Sequence, residues 1–246
     1  MKYILNTIGF KDQLDQGVSQ KDLVPSVKEM GFDVIEVRNE FLTGDESELV
    51  DICKAANESG LDVFYSVNDV LINDDGLNPL LDKYVNEMQI LGSDHLKMNI
   101  GRLSQVDDQA LNDRLFNLLD GSFQLKVENN QTIQDSGLEL TKKFLDKMAS
   151  FQLSDVSYCF DIANWAWLDA SPADAADVLA PYTTYLHMKN YQNSQEQLSV
   201  TSLEEGELNW RQLIQKFDDI SEVGLEYAGD VSTIKQDLKL LKQIYG

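Results

Sequence analysis

The chain has 246 residues, of which 43% are hydrophobic, so it is long enough to bury a large core and too apolar to be a disordered chain. Its net charge of −22 would repel phosphate backbones and anionic lipids, which argues against nucleic acid and membrane surfaces as partners. The apolar runs break after a few residues, which excludes a transmembrane helix.

The N-terminal segment does not have the pattern of a signal peptide. Residues 1–13, MKYILNTIGFKDQ, lack the long apolar centre that such a peptide requires, so we expect the protein in the cytoplasm. The two cysteines, Cys53 and Cys159, are too few for a disulfide framework, and we expect both to be reduced.

Short β-rich runs alternate with longer segments of helical periodicity along the whole chain. The alternation recurs eight times, at about 31 residues per unit, which is typical of a (β/α)₈ barrel. A doubly wound open sheet would alternate similarly, but its usual G-x-G-x-x-G is missing, and so is a Walker-type loop. We therefore predict a single-domain α/β fold, a TIM barrel over residues 1–246, with strands at residues 3–7, 33–38, 62–67, 96–100, 125–129, 157–161, 184–189 and 223–227.

Each candidate strand is followed by a helix with its own start or stop signal. Leu23, Val27 and Met30 form the apolar stripe of the first helix, one helical turn apart. Glycines are placed to end helices, and serines to begin them, at these positions: Gly31, Gly60, Ser171 and Ser232.

Polar residues share the inner face of several strands. Side chains alternate across a strand, so in VIEVR the pair Glu36 and Arg38 faces the barrel axis while Ile35 and Val37 face the helices. The same alternation turns a further set of polar residues inward: Lys97, Asn99, Lys126, Glu128, Cys159, Asp161, His187, Lys189 and Glu226. Polar groups buried on so many strands are costly unless they bind one another or a ligand.

Four of these residues lie at or near the C-terminal ends of strands five to eight, where active sites of (β/α)₈ barrels form. Three carboxylates so close together repel one another unless a cation lies between them. With an imidazole they form an oxygen-rich set suited to Mn²⁺ or Mg²⁺, with Co²⁺ or Zn²⁺ as alternatives. We predict one divalent metal ion held by Glu128, Asp161, His187 and Glu226.

Each of these residues also has a simpler interpretation. A carboxylate at a strand end often pairs with a neighbouring cation, and Arg38, Lys97 and Lys126 are available for this. A single histidine on a strand is more often a hydrogen-bonded core residue than a ligand. The occurrence of all four residues on consecutive strands favours the metal site. The other histidine, His95, lies at the opposite end of strand four, and we expect a structural role for it.

Several segments carry a resemblance to a known superfamily: GFDVIEVRNE, LKVENNQT, FDIANW, YLHMKN, EEGELNWRQLI and VGLEYAG. They resemble the xylose isomerase-like TIM barrels, a superfamily of sugar isomerases and epimerases, nearly end to end. In that superfamily one divalent metal is bound by residues that match Glu128, Asp161, His187 and Glu226.

The resemblance implies a metal-dependent isomerase or epimerase of a sugar or sugar phosphate, active in carbohydrate metabolism. Glu128 and Glu226 would exchange a proton with a carbon next to a carbonyl, through an enediolate whose oxygens the metal holds. Arg38, Lys97, Asn99 and Lys189 are candidates to contact the substrate. Trp165, in the loop after strand six, is a candidate to form an apolar wall for it, although packing alone explains a tryptophan there equally well.

Two asparagines depart from the superfamily pattern. Asn164 stands where many members carry a histidine, and Asn130 stands where the related dehydroshikimate dehydratases carry one. The segments MKYILNTIGFKDQL and FDIANWAWLDASPAD also resemble those dehydratases, so a metal-dependent dehydratase of a cyclic hydroxy-keto acid is the second hypothesis. A non-catalytic sugar-binding barrel is the third. Barrels of this kind often form dimers or tetramers, so a homo-oligomer is a further expectation.

Overall fold

The strands form a closed barrel. The computed structural model describes residues 1–119, 121–195 and 197–246, and within them eight parallel strands pair in chain order while the last pairs with the first. We label them β1 (Lys2–Asn6), β2 (Val34–Arg38), β3 (Asp62–Asn73), β4 (His95–Gly101), β5 (Gln124–Glu128), β6 (Val156–Asp161), β7 (Thr183–Met188) and β8 (Glu222–Leu225). The (β/α)₈ barrel predicted from the sequence is confirmed.

The observed strands differ from the predicted ones mainly at their ends. β3 continues six residues past its predicted end at Val67, because its C-terminal part pairs antiparallel with a short strand at Gly76–Leu77. β8 ends at Leu225, so Glu226 follows the strand directly.

The described part of the chain contains ten α-helices, of which two short ones, Lys11–Asp15 and Ile133–Ser136, lie in the loops after β1 and β5. The other eight alternate with the barrel strands. They are α1 (Gln20–Met30), α2 (Glu46–Ser59), α3 (Leu81–Ile90), α4 (Asp108–Leu118), α5 (Leu138–Ser150), α6 (Pro172–Leu179), the short α7 (Trp210–Leu213) and α8 (Val231–Tyr245). None of them is both long and apolar enough to cross a membrane.

The predicted helix boundaries hold at three positions and fail at one. Gly31 and Gly60 end α1 and α2 in the left-handed conformation, with φ of 94° and 62°. Ser171 caps α6 by accepting a hydrogen bond from the Asp174 amide. The expectation for Ser232 was wrong. Asp230 caps α8 instead, because its carboxylate reaches the amides of two residues in the first turn.

A hairpin that the sequence did not predict follows β7. Its strands, Asn190–Ser194 and Gln197–Thr201, pair antiparallel. The Asn190 side chain anchors its base by donating to the Leu203 carbonyl at 2.8 Å and accepting from the Leu208 amide at 2.9 Å. The hairpin therefore has a fixed attachment beside the C-terminal end of the barrel.

Apolar side chains fill two regions. The larger one lies between strands and helices, where Val27 of α1 and Ile35 of β2 are fully buried. The smaller one lies inside the barrel and consists of Ile4, Val34, Phe64, Cys159 and Tyr185. This inner cluster leaves polar residues at both ends of the barrel interior.

Candidate active site

The four predicted metal ligands converge at the C-terminal end of the barrel. Glu128 and Asp161 are the last residues of β5 and β6, His187 is the penultimate residue of β7, and Glu226 follows β8. One oxygen or nitrogen from each side chain lies within 4.8 Å of those from the other three. All four residues are buried, and Asp161 and His187 are completely inaccessible.

The imidazole of His187 is oriented by a layer of residues below it. Its Nδ1 lies 2.5 Å from Glu128 Oε1 and 3.2 Å from Glu226 Oε2. Its Nε2 lies 2.9 Å from the hydroxyl of Tyr185, which donates to Glu36 Oε2 at 2.7 Å. Because that hydroxyl proton is used on Glu36, the hydroxyl oxygen accepts from Nε2–H, and Nδ1 donates to Glu128. Although burial opposes it, the nearby carboxylates of Glu128 and Glu226 hold the pKa of His187 well above its usual range, so Nδ1 would have to release its proton to hold a metal.

Lys97 lies among the carboxylates at one side of the site. Its ammonium contacts Glu128 directly and lies 3.6 Å from Glu36 Oε1 and 3.8 Å from Glu226 Oε1. The side chain is 7% exposed, so these pairs are shielded from solvent.

Lys189 and Arg38 neutralise the carboxylates on the other side of the candidate site. Lys189 Nζ lies 2.7 Å from Asp161 Oδ2 and 2.8 Å from Glu226 Oε2. Arg38 spans Glu226 Oε1 at 2.9 Å and Glu40 Oε1 at 2.5 Å. The pairing of strand-end carboxylates with basic residues, the simpler interpretation of the sequence, therefore occurs in the same cluster as the candidate metal site.

Burial and neighbouring charges act in opposite directions on the acidic groups. Burial and the nearby Glu226 and Glu128 carboxylates raise the pKa of Asp161 to about 6, against the opposing effect of Lys189. Burial alone would raise the pKa of Glu36, but Lys97 and His187 lower it to about 2. Asp161 is thus the carboxylate least compensated by the protein's own cations.

The donor set fits a divalent cation. Asp161 Oδ1 accepts hydrogen bonds from the amides of Ala163 and Asn164 at 2.9 and 2.8 Å, which turns Oδ2 toward the cluster. This buried Oδ2 receives no well-directed hydrogen bond from the described residues. Asp161 and His187 thus each bring a ligand atom into the cluster, and the Tyr185 hydroxyl supplies the hydrogen bond that a metal-bound histidine typically makes through its other ring nitrogen.

A cavity of about 410 Å³ opens above these residues, within the size range of small-molecule sites. Four of the five predicted substrate contacts line it: Arg38, Lys97, Asn99 and Lys189. The carboxylates of Glu128 and Glu226 also reach it, and most of the remaining polar lining is neutral: Ser66, Asn68, Asn130, Gln131 and Asn164. Val200 of the unpredicted hairpin contributes an apolar wall.

Trp165 does not have the position expected of a substrate wall. It is 1% exposed and packs against Phe160, with ring centroids 5.6 Å apart, and it is not among the described residues that line the cavity. Trp165 lies in a 3₁₀ turn, Asn164–Trp167, that directs its indole ring into the core. The structure supports the packing interpretation of this residue.

His95 lies at the N-terminal end of the barrel, as expected. Its ring stacks on Phe64 at 3.7 Å, and its Nε2 lies 2.9 Å from Glu222 Oε1 at the start of β8. Lys126 completes this floor cluster with Nζ 2.8 Å from Glu222 Oε2. The floor cluster, consisting of His95, Lys126 and Glu222, is separate from the candidate active site.

Three residues of the site were missed as functional candidates. Glu36 was correctly placed on the inner face but was given no role, and Tyr185 shares that face because it precedes His187 by two residues. Asn6, the last residue of β1, donates to Glu36 Oε1 at 2.5 Å and to Glu226 Oε1 at 3.3 Å. Alternation within β7 was the available signal for Tyr185.

The fold and site define a class of protein: a (β/α)₈ barrel with a buried carboxylate and histidine cluster at the C-terminal ends of its strands. Among solved structures, the fold is similar to that of a xylose isomerase-like TIM barrel/4-hydroxyphenylpyruvate dioxygenase fusion protein, with a TM-score of 0.67 at 12% identity, over 97% of this chain and 42% of that one. The resemblance stated from the sequence is confirmed at this level.

Three of the similar structures are proteins with different descriptions. The probable 3-DHS dehydratase AsbF of Bacillus anthracis has a TM-score of 0.67 at 18% identity, over 98% of this chain and 99% of that one. The IolI protein with a zinc atom has a TM-score of 0.73 at 11% identity, over 100% of this chain and 99% of that one. D-allulose 3-epimerase from Methylomonas sp., in complex with D-allulose, has a TM-score of 0.72 at 11% identity, covering 99% and 96%. No model of a protein family matches the chain, and neither does any curated protein sequence.

Proposed function

We propose that this protein is a divalent-metal-dependent isomerase or epimerase of an unphosphorylated sugar. The observation that carries the proposal is the convergence of Glu128, Asp161, His187 and Glu226 beneath a polar cavity. The similar structures include an epimerase in complex with D-allulose and a protein with bound zinc, which supports both parts of the proposal.

Glu128, Asp161, His187 and Glu226 would hold the metal, with Mn²⁺ or Mg²⁺ favoured by the oxygen-rich donor set and Co²⁺ or Zn²⁺ as alternatives. When bound, such an ion polarises a substrate carbonyl and makes the hydrogen on the adjacent carbon more acidic. The Tyr185 hydroxyl keeps the Nδ1 of His187 directed at the carboxylates. Asn6 orients the Glu226 carboxylate by donating a hydrogen bond to its Oε1.

Glu128 and Glu226 are the proton-transfer pair of this proposal. Both line the cavity, and Glu128 ends β5 whereas Glu226 follows β8, so their carboxylates would reach a bound sugar from different sides. One carboxylate takes the proton from the carbon beside the carbonyl, and the electron pair of that C–H bond forms an enediolate. The other returns a proton to this carbon from the opposite face, which epimerises it. Alternatively, a proton is returned to the former carbonyl carbon while the hydroxyl proton passes to the former carbonyl oxygen, which leaves a carbonyl on the first carbon and isomerises the sugar.

The charges around the cavity favour a free sugar over a sugar phosphate. Each basic residue lining it forms an ion pair with a carboxylate of the described chain: Lys11 with Asp15, Arg38 with Glu40 and Glu226, Lys97 with Glu128, and Lys189 with Asp161 and Glu226. In the metal-free protein a phosphate would have to displace these partners, whereas sugar hydroxyls can bond to the amide side chains without doing so.

Hydrogen exchange tests the proposal directly. The metal-loaded protein is incubated with free ketoses in deuterated water, and we expect deuterium at the carbon beside the carbonyl. Glu128→Gln and Glu226→Gln should each slow this exchange by roughly 10²-fold or more. Glu222→Gln is the matched control, because it replaces a buried glutamate at the other end of β8. Exchange that survives both site substitutions, or no exchange with any ketose, would contradict the proposal.

A metal-dependent dehydratase of a cyclic hydroxy-keto acid is the second candidate. The likeness to AsbF favours it, although this chain has Asn130 where the resemblance to the dehydratases implies a histidine. In this structure Asn130 accepts a hydrogen bond from the Thr132 amide at 2.8 Å, as in a turn. Loss of water from dehydroshikimate without exchange in ketoses would select this candidate. Tight sugar binding with neither reaction would select a non-catalytic sugar-binding barrel.

The remaining expectations belong to the same proposal. A small-molecule substrate, a cytoplasmic location and a homo-oligomer are consistent with a metabolic enzyme of carbohydrates. The net charge of −22 disfavours nucleic acid and membranes as partners. Light scattering of the purified protein would give the oligomeric state.

A further inference from the structure

Lys189 occupies the position of a counter-ion among the candidate metal ligands. Its Nζ bridges Asp161 Oδ2 at 2.7 Å and Glu226 Oε2 at 2.8 Å. These carboxylates are two of the four groups that would hold the metal. We propose that Lys189 competes with the divalent metal for Asp161 and Glu226, and that metal binding displaces its ammonium into the substrate cavity.

The two cations would repel each other in this cluster. The Lys189 ammonium lies within 3 Å of two carboxylates, so a divalent ion on the same carboxylates would be close enough to weaken both ion pairs. The lysine is 6% exposed, so solvent does not screen this repulsion. A metal that binds would therefore compete with Lys189 for these carboxylates.

The other buried lysine of the site is not under the same constraint. Lys97 contacts Glu128, but it also lies 3.6 Å from Glu36, a carboxylate outside the predicted ligand set. It keeps this partner when a metal takes Glu128. Both ion-pair partners of Lys189 among the described residues belong to the ligand set, so Lys189 loses both together.

The substrate cavity offers space for the displaced ammonium. Lys189 already lines the cavity of about 410 Å³, so rotation of its side chain carries Nζ into that space. There it becomes an uncompensated donor for a carbonyl or hydroxyl oxygen of the substrate. This inference rests on the proposed metal site, and it couples metal loading to the formation of a substrate contact.

The test compares Mn²⁺ binding to chelator-treated wild type, Lys189→Met and Lys189→Gln by calorimetry. Lys126→Met is the matched control, since it also removes a buried ammonium 2.8 Å from a glutamate, but in the floor cluster. We expect both Lys189 variants to bind Mn²⁺ roughly tenfold or more tightly than wild type, and the Lys126 variant to match wild type. The rise in melting temperature with added Mn²⁺ should be larger in the Lys189 variants, which gives a second readout if their metal-free forms are unstable.

The outcomes separate this inference from the proposed function. Mn²⁺ binding that is equal or weaker in both Lys189 variants, with wild type binding the ion, overturns the competition and leaves the metal site intact. No binding in any variant overturns both. Binding that is present in the Lys189 variants and absent from wild type supports the competition and counts against metal dependence of the natural protein.

Discussion

Replacing Tyr185 with phenylalanine removes a single buried hydroxyl and leaves the ring that packs inside the barrel. That hydroxyl donates to Glu36 Oε2 at 2.7 Å and accepts from Nε2 of His187 at 2.9 Å. The substitution therefore removes the group that fixes the orientation of the imidazole, while all four candidate ligands keep their side chains.

We expect Tyr185→Phe to lower both the free energy of unfolding and the affinity for Mn²⁺. A hydrogen bond to a buried charged group contributes about 1.5–3 kcal/mol, so we expect Tyr185→Phe to lose about 2 kcal/mol of unfolding free energy. For a chain of this length that loss corresponds to a melting temperature lower by about 4–8 °C. Because the histidine is no longer oriented, Mn²⁺ affinity should fall by about 10–100-fold. Urea denaturation of the metal-free protein gives the first quantity, and calorimetry gives the second.

Tyr65→Phe provides the control. Tyr65 is also fully buried and donates to a glutamate, Glu87, at 2.7 Å, but it lies between β3 and α3, outside the site. We expect a similar loss of stability and unchanged Mn²⁺ affinity. If the two variants weaken Mn²⁺ binding equally, or if neither does, the orienting role of Tyr185 is refuted.

Two further predictions concern stability. Although burial opposes it, the bonds to His95 and Lys126 lower the pKa of Glu222 relative to the unfolded chain, so its stabilising effect is present at neutral pH and is lost as the pH falls through the folded-state pKa. Glu222→Gln should cost about 3 kcal/mol at neutral pH, and its unfolding curve should approach that of wild type below about pH 4; a constant difference across that range would contradict this. Gly101→Ala should be more destabilising than Gly121→Ala in thermal melts, because both glycines have φ of 82° but a Cβ at Gly101 would lie 2.0 Å from the Ile72 carbonyl oxygen, and equal losses would contradict this reasoning.

The barrel could be predicted because its signals are local. Strands with apolar outer faces and helices ended by Gly31 or begun by Ser171 need only the periodicity and caps of each segment. The hairpin after β7 has no such signal, because its strands are polar and mostly exposed, and the buried Asn190 holds its base through contacts distant in sequence. Asp230 prevailed over Ser232 as a cap because one carboxylate bonds to two amides.

For the candidate site, the sequence predicts which side chains face the barrel axis but not which partners they contact. Strand alternation placed the four candidate ligands on one face, and the barrel brings them within 4.8 Å of one another. Alternation gives the direction of a side chain and not its partner, so the bridging of Asp161 and Glu226 by Lys189 was not foreseen. The direction of Trp165 could not be derived either, because a 3₁₀ turn lacks the two-residue period of a strand.

The central claim is that Glu128, Asp161, His187 and Glu226 hold one divalent metal ion. Calorimetric titration of Mn²⁺ into wild type, His187→Ala and Glu226→Ala tests it most directly, with circular dichroism to show that each variant is folded. We expect stoichiometric binding by the wild type and its loss in both folded variants. A wild type that binds no Mn²⁺, or folded variants that bind it as tightly as the wild type, would rule out this metal site.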